Sequence, residues 1–139
     1  MADTVTTVAY FAVVVPNKIG EGAKVLAALN EAGVNMTGFW GYPIKGKKAQ
    51  LDIAPADAKV FAKAAKKLGL EVAPKRTAFL VNGEDRPGAV AEALGKLATA
   101  GISTQAAQAV CAGEGRYGVL IQVDDDDVKA AKKALTKKK

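Results

Sequence analysis

Residues 82–102 read NGEDRPGAVAEALGKLATAGI. An apolar strand-like run, residues 76–82, leads into Asp85-Arg86-Pro87-Gly88, and an alanine-rich helical pattern follows. Val90, Leu94 and Leu97 share one face of that pattern, and Gly101 closes it where a left-handed backbone is needed. Pro87 suits a first helical turn, because its fixed φ helps and its missing N–H costs little there. Glu84 or Asp85 complements the positive helix end. Gly88 lets a ligand approach the backbone closely. The leading N–H groups of a helix form an anion site for a carboxylate or a phosphate. Arg86 adds a forked, charge-assisted donor. The carbonyl of Asn82 or the acid of Asp85 is placed to receive an ammonium group. The same stretch also reads as a tight, well-capped connection with no ligand at all.

A weaker copy of this stretch lies 68 residues earlier. With that shift, Phe11 falls on Phe79, Val13 on Val81, Gly20 on Gly88, Leu26 on Leu94, Leu29 on Leu97 and Gly33 on Gly101. Ile53 falls on Ile121, Asp57 on Asp125 and Val60 on Val128. The matches fall on strand cores, helix inner faces and helix stops, so a tandem repeat is the economical reading. Each copy reads strand, helix, strand, strand, helix, with a fourth strand at residues 70–73 in the first copy. The second copy runs out of chain where that strand belongs. Its sheet edge is either open or covered by another segment, and an open edge attracts a partner strand. The fold class is α+β: two ferredoxin-like βαββαβ units, residues 1–75 and 76–139.

The chain has 139 residues, half of them apolar and 24% charged, so it can bury a core. Its net charge is +6, carried by lysine far more than by its three arginines, Arg76, Arg86 and Arg116. Lysines crowd the last eleven residues. That balance fits a solvated surface better than phosphate or base readout, which favours arginine. The single cysteine, Cys111, excludes an internal disulfide and reads as structural in a reducing cytoplasm. The apolar run at residues 8–15 is shorter than the roughly 20 residues that span a bilayer, so a buried strand is expected and no membrane partner. There is no histidine, and Ser103 is the sole serine. Ser-His and Cys-His nucleophile pairs are therefore excluded, as are imidazole metal sites. Nothing points to a catalytic constellation, a metal or a cofactor.

Other motifs have plain structural readings. Phe39, Trp40, Gly41 and Tyr42 alternate across a strand and read as packing or interface residues. Asp124, Asp125, Asp126 and Asp127 suit a helix start better than a cation site, whose ligands are spaced apart. Residues 113–118, GEGRYG, lie between two strands and read as a hairpin turn.

A βαββαβ unit whose first strand feeds a D-R-P-G loop and a helix ending in A-G-I resembles the ACT domain, a small regulatory fold that binds amino acids. The resemblance covers nearly the whole chain as two tandem copies. It implies four antiparallel strands in the order 4-1-3-2, with both helices on one face, and side-by-side pairing along the second strand. It implies a free amino acid, or a similar small carboxylate, held between the first loop of one domain and the second strand of its neighbour. The loop positions it marks are Asn82, Glu84, Asp85, Arg86, Pro87, Gly88 and Ala89 in the second copy. In the first copy they are Asn17, Lys18, Ile19, Gly20 and Glu21. The facing strand positions are Asn35, Met36 and Thr37, and Ser103, Thr104 and Gln105. A homodimer, with allosteric control of a downstream enzyme or regulator, is implied as well. The RNA recognition motif shares the element order, so a nucleic-acid or protein-binding module stays open as the alternative. For that alternative the first strand of the second copy offers Phe79, while its third strand, Tyr117 to Val123, lacks the basic-glycine-aromatic pattern.

Overall fold

The computed structural model describes residues 3–137. The strands are β1 (Thr4–Pro16), β2 (Met36–Ile44), β3 (Lys48–Pro55), β4 (Arg76–Glu84), β5 (Thr104–Gly113) and β6 (Arg116–Val123). The helices are α1 (Glu21–Glu31), α2 (Ala58–Leu68), α3 (Ala89–Thr99) and α4 (Val128–Thr136). A short 3₁₀ turn, Asp125–Asp127, precedes α4. The chain separates into two compact units. One is Ala9–Arg76, and the other joins Met1–Val8 to Thr77–Lys139. The repeat placed the division at 75/76, so the two partitions differ chiefly in the first eight residues.

In the unit Ala9–Arg76, β3 pairs antiparallel with β1 and with β2, in the register Phe11↔Ile53 and Phe39↔Ile53. The expected fourth strand at residues 70–73 is reduced to one antiparallel bridge, Val13↔Val72. The order is thus 4-1-3-2. Alternate residues Val13 and Val15 of β1, with Leu51 and Ile53 of β3, face one side. Leu29 of α1 and Phe61, Ala64 and Ala65 of α2 close over them in one buried cluster. Both helices therefore lie on that side. Asp57 caps α2 by accepting from the amides of Lys59 (2.9 Å) and Val60 (3.2 Å). Gly69 ends it at φ 67°. Trp40 is buried against Tyr10, ring centroids 5.7 Å apart. Tyr42 donates to the buried Asp52 at 2.9 Å. Of the aromatic run at 39–42, Trp40 is thus packing, while Phe39 and Tyr42 stay more than a third exposed.

In the other unit, the head of β1, β4, β6 and β5 follow in that order. No strand follows α4 among the described residues. The missing fourth strand is supplied by the start of β1, and Val5 packs against the core. That core joins Phe79, Val81, Val119 and Ile121 of the sheet to Ala93, Leu97, Ala131 and Leu135 of the helices, all nearly or wholly excluded from solvent. Burying each of the larger ones contributes roughly 1.5–3 kcal/mol. Gly33 and Gly101 both stop their helices in the left-handed region, at φ 82° and 74°. Each second strand carries an irregularity at the same repeat offset, at Thr37 and at Gln105. Phe79 lies wholly inside the core, so it cannot stack on a base.

Candidate functional site

The D-R-P-G segment connects β4 to α3. The Asp85 amide donates to the Gly115 carbonyl at 2.8 Å, tying the loop to the β5–β6 turn. The Ala89 amide donates to the Arg86 carbonyl at 3.3 Å. Gly88 is the N-cap at φ 85° and ψ 1°, and no side chain caps the helix. A Cβ there would meet nothing within 4 Å, so the dihedral alone demands glycine. Sequence periodicity placed Pro87 in the first turn. The helix instead starts at Ala89, because Gly88 turns left-handed and breaks the helical path. Leading amides of an uncapped helix present positive charge with few internal partners.

A crevice of about 380 Å³ opens there, with Tyr117 at its base. One wall is Asp85, Arg86, Gly88 and the first turn of α3, residues 89–91. The other wall is residues 109–111 of β5. Asp85 is exposed. The Cys111 thiol donates to its Oδ2 at 3.3 Å. Cys111 is thus exposed and partnered, against the expectation of a structural strand end. The cause is its place on β5, whose burial pattern is exposed along nearly its whole length.

Arg86 is engaged within its own chain. Nη1 donates to Asp3 Oδ1 (3.2 Å) and to the Glu84 carbonyl (2.9 Å). Nη2 donates to Asp3 Oδ2 (3.2 Å) and to Glu92 (2.9 Å). The Tyr117 hydroxyl donates to Asp3 Oδ2 at 2.5 Å. Burial pulls the Asp3 carboxyl upward, but the Arg86 and Tyr117 hydrogen bonds outweigh it and hold the group below its ordinary 3.8. Its contribution to stability is therefore present above that value and lost as pH falls through the depressed one. Burial, and then the bond to Asp3, push Tyr117 up to about 12. The two Asp3 bonds and the Glu92 bond push Arg86 upward as well. Asp3, Glu92 and Tyr117 escaped the sequence reading.

Of the loop positions, Asp85, Arg86, Gly88 and Ala89 line the crevice. Asn82 sits in β4, where its side-chain oxygen accepts from Arg116 at 2.9 Å. Glu84 ends β4 and offers its carbonyl to Arg86, while Pro87 is exposed beside the N-cap. Ser103, Thr104 and Gln105 lie at the start of β5 and are not part of the crevice, whose β5 wall is residues 109–111. In the other unit, Asn17 and Lys18 form a turn, with the Lys18 amide donating to the Pro16 carbonyl at 2.9 Å. Ile19 is fully exposed, and Gly20 caps α1 at φ 87° with Glu21 in the first turn. Asn35, Met36 and Thr37 occupy the entry to β2. Among the described residues no group of three or more His, Cys, Asp or Glu could hold a metal ion. No described helix is long and apolar enough to cross a membrane.

No family model and no curated protein matches the sequence. Solved structures do match. Protein BT0572 from Bacteroides thetaiotaomicron is similar with a TM-score of 0.81 at 18% identity, over 94% of this chain and 88% of that one. The ligand-free regulatory subunit of aspartate kinase from Thermus thermophilus gives 0.67 at 18% identity, over 97% and 95%. The corresponding subunit from Thermus flavus gives 0.60 at 18% identity, over 97% and 95%. The fold is the one these solved structures share, α+β with antiparallel strands, consistent with ferredoxin-like, ACT-type repeats.

Proposed function

We propose that this protein is a non-catalytic regulatory module of the cytoplasm that binds a free amino acid at the start of α3. The observation that carries the reading is an uncapped, glycine-opened helix start facing a crevice with an exposed carboxylate at its mouth. The ligand carboxylate takes the leading amides of α3. Asp85 takes the ammonium. Residues 109–110 and Ala91 offer small apolar contacts to the side chain. The volume lies at the lower end of the range for small-molecule sites, which suits a small or mid-sized amino acid.

The regulatory subunits of aspartate kinase among the similar structures support a regulatory role. The outer edge of β5 supports self-association. It is ten residues long, ends the strand order and exposes Val110 at 67%. Pairing β5 with β5 of a second copy covers an edge whose outer backbone groups have no partner strand among the described residues. A ligand shared by two copies then shifts their association by no more than its differential affinity for the two states.

Thermal-shift screening against the twenty amino acids tests the reading. A ligand at 100 times its Kd adds about 2.7 kcal/mol, a shift of several degrees. Asp85→Ala removes the response to the responding amino acid. If none of the twenty raises the midpoint, the proposal fails.

A further inference from the structure

The Arg86 fork already has an occupant. Both Asp3 oxygens meet its two terminal nitrogens at 3.2 Å, and the Tyr117 hydroxyl holds the same carboxylate from the side. Gly83 lies beneath, where any Cβ would run into the Asp3 carboxylate. Arg86 and Tyr117 also belong to the crevice, so the same two side chains face the crevice and hold Asp3. One guanidinium here faces two acids, Asp3 and Glu92. Lys96 is near enough to act on Asp3 as well, so the acids are balanced, and exchange of a free carboxylate for Asp3 conserves that charge count.

We propose that Arg86, Tyr117 and the space over Gly83 form a carboxylate receptor whose resident is the chain's own Asp3, so that a free carboxylate and the docked start of β1 exclude each other there. The inference rests on reading the adjoining crevice as an amino-acid site. A tethered resident acts at high effective concentration and lowers the apparent affinity of any free carboxylate by the fraction of time it is docked. Coupling is reciprocal, so a carboxylate that takes Arg86 loosens the residues following Asp3. Those residues supply the strand the second unit otherwise lacks, so their loosening is the output of binding.

The test uses the full chain and acetate as probe, read by the Arg86 Nε–H resonance in NMR. Asp3→Asn should tighten the acetate response about tenfold over the parent. Tyr117→Phe, which removes one of the two grips, should give a smaller gain and serves if Asp3→Asn folds poorly. Arg86→Lys in the Asp3→Asn chain should abolish the gain, because an ammonium cannot reproduce the fork. Hydrogen exchange at Thr4 and Val5 should quicken when acetate is added to the parent. Equal acetate affinity in parent and Asp3→Asn, or no response in either, overturns the proposal. An amino acid that stabilises the parent but binds Asp3→Asn no more tightly overturns it while leaving the amino-acid reading intact. A gain for acetate in a chain that no amino acid stabilises upholds the receptor and sinks the ligand class instead.

Discussion

Two glycines seven residues apart should respond in opposite directions to the same substitution. Gly88 holds φ 85°, in the left-handed region, while Gly95 lies inside α3 and shows no positive φ. A Cβ at either position would meet nothing within 4 Å, so neither change alters packing. At Gly95 only helix propensity remains, and alanine should stabilise by about 1 kcal/mol. At Gly88 only the dihedral remains, and alanine should destabilise by about 1–2 kcal/mol. With a urea m-value of about 2 kcal/mol/M, the midpoints should move by roughly +0.5 M and −0.5 to −1 M. The positions share no partner, so the double variant should fall near the sum. Urea unfolding followed by far-UV circular dichroism reads all three. Two shifts of the same sign, or a neutral Gly88→Ala, would refute the claim that Gly88 is set by its backbone angle. The proposed site gives a second readout, since Gly88 lines the crevice and Gly95 does not. Gly95→Ala should therefore keep amino-acid binding and Gly88→Ala should weaken it.

Burial first, and then hydrogen bonds to Asp52 and Asp3, push Tyr42 and Tyr117 up to about 12. A phenolate absorbance titration should thus show Tyr42 and Tyr117 ionising near pH 12. Both folded values lie above the unfolded value near 10, so their stabilising contribution is complete below pH 10 and is lost as pH rises through 12. A single step near pH 10 would contradict this. Asp57→Ala removes two hydrogen bonds at the start of α2 and should cost about 1 kcal/mol in urea unfolding. Calorimetric titration with the amino acid that responds should give one site per chain, because Asn17, Lys18 and Ile19 stand where the second copy has Asp85, Arg86 and Pro87. Two equal sites would refute the asymmetry.

What could be read in advance was local. Gly33 and Gly101 end helices because only the left-handed backbone reverses the chain there, and that demand shows as a glycine after each periodic run. The inward residues of β4 and β6 alternate with period two, so the helix-facing side could be read without a structure. What escaped was long-range. Asp3 is 83 residues from Arg86, and nothing near Asp3 in the sequence marks it. One signal was present in strand length. Strand β1 spans 13 residues, against nine in β4, its repeat partner, and its apolar run begins only at residue 8. That surplus at the head of β1 is the strand missing from the end of the second copy. The environment of Cys111 was hidden for a related reason. Whether β5 is covered depends on what lies beside it, and the residues of β5 do not encode that.

The repeat also provides its own control for the Asp3 receptor. Each part of it has a counterpart 68 residues earlier, and each counterpart is unsuited to the role. Gly83 corresponds to Val15, whose buried side chain fills the space that a carboxylate needs. Arg86 corresponds to Lys18, a point charge without a fork. Glu92 corresponds to Lys24, which reverses the charge on the far side of the guanidinium, and Tyr117 corresponds to Ala49, which has no hydroxyl to donate. The first copy needs no borrowed strand either, since Val72 bridges to Val13 from within the same unit. Features that served folding alone would be expected in both copies, because both share the same cores, stops and strand irregularities. Here four changed positions, the borrowed strand and the acid it carries all fall in one copy, around one arginine. A set of differences that converges on a single charged group is what a ligand-facing specialisation of one repeat requires.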